Sequence, residues 1–547
     1  MLTRRLYLEF RRYYSKNVIL SPFGQIDLPT GSIDQYTMEW WSKWEDKTAV
    51  ECGLTGKTIS YKELRHKSKA LGSSLSQLGL QRKTALFVLP NCPEFPMALL
   101  GALQAGMTVS AANPIYTPGE LRHQANDAGA NCVVTDAGCL DRVLEAVAGL
   151  NLPVISIGGS TKEGVISLDQ LINKEPDDSV LPTIEEKMEQ LAMLPYSSGT
   201  TGLPKGVRLR HSNITANIEQ IAHPKVNCIM DTTENHQDVI PAVLPFFHIY
   251  GSTCVMLRCL RLGAKLVTLP KFDPMPFLQI LAKNRNIVLH AVPPIINFLG
   301  NHPLVKPEML QGLRFTMTGA APCSPSDIAR MNEKKPHTIL QAYGMTEASP
   351  VVTFPLVGST DTATIGAPIP NTMAKVVDPN TGDNLSAGLN GELCFKGPQV
   401  MEGYHKNPKA TAETLDSEGW LRTGDIGYAD EEGNFFIVDR LKELIKVKGF
   451  QVAPAELEAL LRQHPKVAEA GVTSAICPRS GELPIAFLVP VPGCSIDPEQ
   501  VSSWMSDQVA SYKRPAKLLV VNEIPKSPSG KILRRELKEI AKTEVRF

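Results

Sequence analysis

Short apolar runs alternate with amphipathic stretches over roughly the first half of the chain. Leu64, Leu71, Leu75 and Leu78 recur at helical spacing, and Ser60 to Glu63 (SYKE) ahead of them has the form of a capping box. Residues 84–89 (TALFVL), 131–135 (NCVVT), 153–157 (PVISI), 264–269 (AKLVTL) and 287–291 (IVLHA) read as buried strands. Strands spaced by helices predict parallel α/β layers. From about Ile365 to Ile437 the pattern changes. Residues 374–378 (AKVVD), 391–395 (GELCF) and 434–438 (NFFIV) sit between Gly, Asn and Asp turns, which predicts an antiparallel or barrel portion. A helix is expected over Pro454–Leu461, with Pro454 near its start, and the last hundred residues read as a small α+β unit.

At 547 residues the chain is too long for one core, so two or more domains are expected. The hydrophobic fraction of 43% and charged fraction of 20% are ordinary for a globular protein. Lys plus Arg equals Asp plus Glu at 56 each, which argues against a nucleic-acid binder. The eleven cysteines are scattered without CxxC spacing. They read as reduced thiols of an intracellular protein, without a disulfide framework or zinc site. The best spanning candidate, Met97 to Ala112, is too short, carries Gln104 and follows Pro90, Pro93 and Pro96. Residues 1–17 differ from the rest. Arg4, Arg5, Arg11, Arg12 and Lys16 face Glu9 alone, and Leu2, Leu6 and Phe10 would share one helical face. That composition fits a mitochondrial transit peptide or a basic tail, with cytoplasmic and peroxisomal locations as alternatives. Val545-Arg546-Phe547 is not a peroxisomal tripeptide.

Residues 196–207, YSSGTTGLPKGV, bring hydroxyls, glycines and Lys205 into one loop after a plausible strand end at 191–194. The GxxxxGK[ST] pattern of a Walker loop fails here. The chemistry is still that of a phosphate cradle: glycines turn backbone amides inward, Ser197, Ser198, Thr200 and Thr201 add donors, and Lys205 adds charge. A solvated Ser/Gly linker is the competing reading, and it has no use for the embedded lysine.

Further motifs follow in order: PFFHIYG at 245–251, TGAAP at 318–322, QAYGMTE at 341–347, GELCFKG at 391–397, GWLRTGD at 419–425, DRLKELIKVKGFQVAPAELE at 439–458 and PKSPSGKILRREL at 525–537. With the loop, they make the chain resemble the adenylate-forming superfamily from about residue 20 to 540. Within it the chain is most similar to 4-coumarate–CoA ligases and their luciferase-like and fatty acyl-CoA synthetase relatives. The resemblance implies an α/β fold. A large N-terminal domain, residues 18–440, has two layered α/β subdomains and a β-barrel portion. A small mobile α+β domain covers 441–547.

It also implies a two-step reaction: a carboxylate attacks the α-phosphate of ATP to give acyl-AMP and pyrophosphate, and the coenzyme A thiol then displaces AMP. By the resemblance Ser197, Ser198, Gly199, Thr200, Thr201 and Lys205 hold phosphates, Thr346 makes a phosphate contact and Glu347 binds Mg²⁺. Gln341, Ala342, Tyr343 and Gly344 cover the adenine, with Tyr343 stacking on it. Asp425 and Arg440 hold the ribose. Lys531 reaches the α-phosphate and the carboxylate. Lys442 is the hinge of a domain rotation that removes Lys531 and brings in Lys446, Lys448 and Gly449. His248 is an aromatic gate beside the acyl carboxylate, and Lys271 is a coenzyme A contact along with Lys448 and Gly449.

The implied acyl pocket comprises Tyr250, Cys254, Ala320, Ala321, Met345, Pro350 and Val351, apolar and small to medium. It offers no Lys or Arg for a second carboxylate and no Asp for an amino group, so a fatty or aryl acid is expected. A luciferase-type oxygenase or a non-catalytic adenylate-binding protein on the same fold is the alternative. No phosphopantetheine carrier domain follows residue 547, which disfavours a peptide-synthetase module. Partners are expected to be the acid, ATP and coenzyme A, with no nucleic acid and no membrane span.

Overall fold

The computed structural model describes the chain except residues 1–13, 16, 160–161, 198–203, 448–449, 478–480, 507, 529 and 545–547. Most of the segment read as a transit peptide or basic tail lies outside the described residues. So do Ser198, Gly199, Thr200, Thr201, Lys448 and Gly449.

Two sheets carry the large domain. In the first, strands Thr108–Ala112, Thr84–Val88, Cys132–Asp136, Val154–Ile157 and Val165–Ser167 run parallel in that spatial order. Leu191–Met193 and the antiparallel strand Lys205–Arg210 extend its other edge. In the second, Thr338–Gln341, Leu313–Thr318, Ile287–Ala291, Val239–Ala242, Lys265–Thr268 and Thr48–Cys52 are parallel, and Thr58–Ser60 closes the far edge as a hairpin. Such strands are covered on both faces, which is why they read as continuous apolar runs. The capping box forms as expected: Ser60 Oγ accepts from Glu63 N at 3.1 Å, and Glu63 Oε2 accepts from Ser60 N at 3.1 Å. It starts the helix Tyr61–Gln77, which buries Leu64, Leu71 and Leu75.

The spanning candidate divides into helix Glu94–Gln104 and strand Thr108–Ala112. No helix among the described residues is long and apolar enough to cross a membrane. No disulfide forms among the described residues. The barrel-like portion is a six-stranded antiparallel sheet through Met373–Val377, Gly391–Lys396, Leu421–Ala429 and Phe435–Arg440. Beyond Arg440 a separate five-stranded sheet forms, centred on Gly481–Pro490 and Val467–Cys477, with its own apolar core of Ile445, Leu457, Val472 and Leu488. Helices Pro454–Leu461 and Arg534–Glu544 pack on it, the first with Pro454 in its opening turn.

Candidate active site

The site lies where the antiparallel sheet, the two parallel sheets and the small domain meet. Asp425 and Arg440 are direct cross-strand partners at the end of the antiparallel sheet, and Arg440 Nε lies 3.4 Å from Asp425 Oδ1. Tyr343 donates its hydroxyl to Asp425 Oδ2 at 2.5 Å, and its ring packs against Phe395. Burial pushes the Asp425 carboxyl up, and Arg440 and the Tyr343 hydroxyl pull it back. A buried carboxylate with two oxygens, flanked by a cation, suits a pair of vicinal hydroxyl donors.

Lys531 enters from the small domain on a tight turn. Ser527 N donates to Lys531 O at 2.8 Å, and Gly530 N donates to Ser527 O at 2.8 Å. Gly530 has φ +79, and a Cβ there would lie 3.3 Å from Pro294 Cδ and Val292 Cγ2. The turn therefore docks flush against the large domain with a residue that tolerates that backbone. Burial, and then the Arg440 charge, depress the Lys531 ammonium to about 8, while Asp425, Glu347 and Glu443 attract it. Across the cleft His248 is half-buried and accepts from Tyr250 N at Nδ1, 3.3 Å away. Burial and the facing Lys531 lower it to about 4, so it is neutral near pH 7.

Glu347 sits in the turn Thr346–Ala348, 6% exposed. Its Oε1 accepts from Ser197 Oγ at 2.9 Å and from Tyr404 OH at 2.8 Å. Lys205 opens the strand Lys205–Arg210, with its ammonium 5.0 Å from the centre of the Tyr404 ring. Ala342 to Thr346 are half-buried and line the cleft between these groups. Gly344 is obligatory there, because a Cβ would stand 2.1 Å from Pro350 O. Gln341 is different: its side chain accepts from Cys323 N at 2.9 Å and donates to the Cys323 and Thr362 carbonyls. Its amide is thus committed to the protein rather than left free to cover a base.

Tyr250 and Cys254 lie on the π-helical segment Tyr250–Leu257. Tyr250 faces Gly319, where a Cβ would sit 3.7 Å from its Cε1. Next in sequence, Ala320 holds φ +69, a left-handed conformation that costs a non-glycine residue energy and clusters at functional sites. Ala321 is half-buried beside it, and Met345 packs toward the antiparallel core. Sequence reasoning missed what lies beyond. His290, 2% exposed, has its Nδ1 3.4 Å from Tyr250 OH. Arg258, 1% exposed and one turn past Cys254, bonds Asn227 Oδ1 at 2.6 Å and Ile221 O at 3.2 Å. No carboxylate pairs with it among the described residues. The absence of Lys and Arg from the pocket walls therefore needs a qualification: a buried guanidinium stands behind them.

Lys271, Lys442 and Lys446 are exposed, and Lys446 N donates to Glu482 Oε2 at 2.9 Å. These three are not drawn into the cleft with Lys531. Glu443, just past the expected hinge, is also new. It bridges Arg440 of the large domain at 3.8 Å and Arg534 of the small domain at 2.9 Å. No local sequence pattern marks Tyr404, Arg258 or His290, because their partners lie in distant segments; Glu443 lies within the motif at 439–458, and only docking of the small domain gives it Arg534 as a partner.

Fold and site together define an adenylate-forming enzyme. The AMP-binding enzyme model matches residues 38–405, and the AMP-binding enzyme C-terminal domain matches 456–531. The chain belongs to the AMP-binding enzyme family. It is 40% identical over 514 residues to 4-coumarate–CoA ligase 1 of Solanum tuberosum, covering 92% of this chain and 93% of that protein. It is similar to ATP-bound MatB from Rhodopseudomonas palustris at TM-score 0.84 and 29% identity, over 94% of this chain and 100% of that one. Against apo MatB at 29% identity, over 94% and 99%, the TM-score is 0.74.

Proposed function

We propose that this enzyme activates a hydrophobic carboxylic acid, with a planar aryl acid fitting best. It is an ATP-dependent acid–thiol ligase: acyl-AMP and pyrophosphate form first, then acyl-CoA and AMP. The ligase relatives disfavour an oxygenase or a silent adenylate binder. The observation that carries the mechanistic reading is Lys531, delivered by the small domain into a cleft that already holds Asp425, Arg440, His248 and Glu347. The higher similarity to the ATP-bound structure agrees with an arrangement suited to the first step.

In that step a carboxylate oxygen attacks the α-phosphorus and the bond to pyrophosphate breaks. The Lys531 ammonium bridges the attacking carboxylate and the α-phosphate, where charge accumulates. Neutral His248 keeps a second positive charge away from Lys531 and closes the acyl side. Asp425 takes the ribose hydroxyls while the Arg440 charge opposes the upward push of burial on its carboxyl. Tyr343 presents its ring to the adenine with its hydroxyl anchored on Asp425. Lys205, Ser197 and the neighbouring loop, which includes Ser198 to Thr201, take the β- and γ-phosphates.

Glu347 fits a divalent ion. Ser197 and Tyr404 both donate to Oε1, and among the described residues Oε2 has no partner and no group of three or more His, Cys, Asp or Glu side chains surrounds it. One carboxylate plus substrate phosphates is how Mg²⁺ is commonly held. Bound there, Mg²⁺ would neutralise phosphate charge. For the second step the small domain rotates about Lys442. Lys531 leaves, Lys446, Lys448 and Gly449 approach, and Lys271 meets the coenzyme A nucleotide.

The relatives named for 4-coumarate, and the Tyr250–Gly319 slot, favour an aryl acid over a long alkyl chain. The test is acid-dependent pyrophosphate release, then AMP release with coenzyme A, across cinnamate-type, benzoate-type and C6 to C16 alkyl acids. Cinnamate-type acids are expected to give the highest kcat/KM. Alkyl acids leading by tenfold would overturn the aryl reading, and silence with every acid would overturn the ligase.

A further inference from the structure

Tyr404 lies outside every motif discussed so far, yet it touches two of the groups assigned to the phosphates. It sits on the two-residue strand Gly403–Tyr404, paired antiparallel with Lys205–Arg210 so that Tyr404 opposes Val207. Lys205 is two residues from Val207 and shares its face, which makes Lys205 and Tyr404 a diagonal cross-strand pair. That register accounts for the 5.0 Å cation–ring contact. The short strand is pinned at each side of the tyrosine. Tyr404 N donates to Thr411 Oγ1 at 2.9 Å, His405 N donates to Gly206 O at 2.7 Å, and Met401 N donates to Glu347 O at 2.9 Å. A Cβ at Gly403 would meet Thr411 Cγ2 at 2.6 Å, so the helix-side approach is close-packed. The ring therefore cannot drift from Lys205 without moving the strand that carries Lys205.

The hydroxyl does the second job. It donates to Glu347 Oε1, the same oxygen that accepts from Ser197 Oγ. Two donors on one carboxylate oxygen fix the rotation of the carboxylate and leave Oε2 without a partner among the described residues. A glutamate held this way meets a divalent ion with one pre-oriented oxygen and no side-chain entropy left to lose.

We propose that Tyr404 is a positioning residue for the first half-reaction, aiming Glu347 Oε2 at the nucleotide-bound divalent ion through its hydroxyl and parking the Lys205 ammonium through its ring. The inference rests on the metal and phosphate roles given above to Glu347 and Lys205. Its two parts separate by substitution: Tyr404→Phe loses the hydroxyl and keeps the ring, whereas Tyr404→Leu loses both.

The test is binding on the resting full-length protein, with ATP titrated calorimetrically with and without Mg²⁺, and Mn²⁺ uptake in the presence of ATP followed by electron paramagnetic resonance. Losing one charge-assisted hydrogen bond that orients a ligand is expected to reduce the Mg²⁺-dependent gain in ATP affinity about tenfold in Tyr404→Phe. ATP affinity without Mg²⁺ should stay within about twofold of wild type. Tyr404→Leu should lose both. A merely structural tyrosine would lower both affinities together in Tyr404→Phe, or neither, and either result overturns the proposal. Glu347→Gln is the control. If it loses the Mg²⁺-dependent gain while Tyr404→Phe retains it, the role of Tyr404 is refuted and Glu347 stands. If Glu347→Gln also retains it, the metal role of Glu347 fails and takes this inference with it. Should Tyr404→Phe not fold, Ser197→Ala removes the other donor on Oε1 and, because Ser197 also meets the phosphates, must reduce the Mg²⁺-dependent gain beyond any loss of ATP affinity without Mg²⁺; an unchanged gain overturns the proposal.

Discussion

Replacing Lys531 separates the two half-reactions. Its ammonium is held in a cleft that lowers it to about 8, and it faces a neutral His248 rather than a second cation. Removing one pre-organised donor from such a site costs about 10²–10³ in rate, or roughly 3–4 kcal/mol. Lys531→Ala should therefore slow acyl-AMP formation by that factor. The same variant given preformed acyl-AMP and coenzyme A should make acyl-CoA within about threefold of wild type, if Lys531 leaves the cleft for that step as proposed. Single-turnover pyrophosphate release reads the first half, and thioester formation from acyl-AMP reads the second.

The pH dependence carries the same logic. The charged form is the active one, so kcat/KM for adenylation should fall as pH rises through about 8. About nine-tenths of the free enzyme is protonated at pH 7 and about one-tenth at pH 9. Lys531→Arg keeps a charge that does not titrate in this range, so its alkaline limb should flatten even where its rate is lower. Equal loss in both half-reactions, or an unchanged alkaline limb in Lys531→Arg, would refute the assignment.

Three further outcomes are expected. Arg258→Met exchanges a buried cation that lacks a carboxylate partner among the described residues for an apolar side chain, so urea unfolding should show stability unchanged or raised by up to about 4 kcal/mol. A loss above about 3 kcal/mol would mean that its bonds to Asn227 and Ile221 hold the fold. Gly344→Ala places a methyl against the Pro350 carbonyl, where a Cβ would stand 2.1 Å away. It should destabilise the cleft by about 1–3 kcal/mol and raise the KM for ATP, as thermal melts and initial rates would show. Residues 1–25 fused to a fluorescent reporter should enter mitochondria if the arginine-rich start is a transit peptide, and a diffuse signal would remove that proposal.

Much was legible before any coordinates. The apolar runs at 84–89, 131–135, 153–157, 264–269 and 287–291 are strands because a parallel sheet buries both faces, and that requirement is written into consecutive residues. SYKE at 60–63 starts a helix because its two reciprocal hydrogen bonds close over three residues. The loop at 196–207 reads as a phosphate cradle from its own hydroxyls, glycines and lysine, and the family resemblance carried by the later motifs implies the rest of the chemistry. Asp425 and Arg440 were named from separate motifs, yet only the antiparallel register makes them a pair.

What the tertiary structure decided is everything that depends on distance through space. Gln341 resembled an adenine contact in sequence, and the fold commits its amide to Cys323 and Thr362. Arg258 and His290 become the polar backing of an apolar pocket only because a helix turn and a neighbouring strand converge behind Tyr250. Lys531 acquires a depressed ammonium only by docking against another domain, where water is excluded and Arg440 is near. Tyr404 reaches Glu347, 57 positions away, through a two-residue strand too short to read as one. Local hydrogen bonds and periodic burial act over a few residues and leave a trace in the order of amino acids. Desolvation, cross-strand register and domain docking act between segments that the order of amino acids does not bring together.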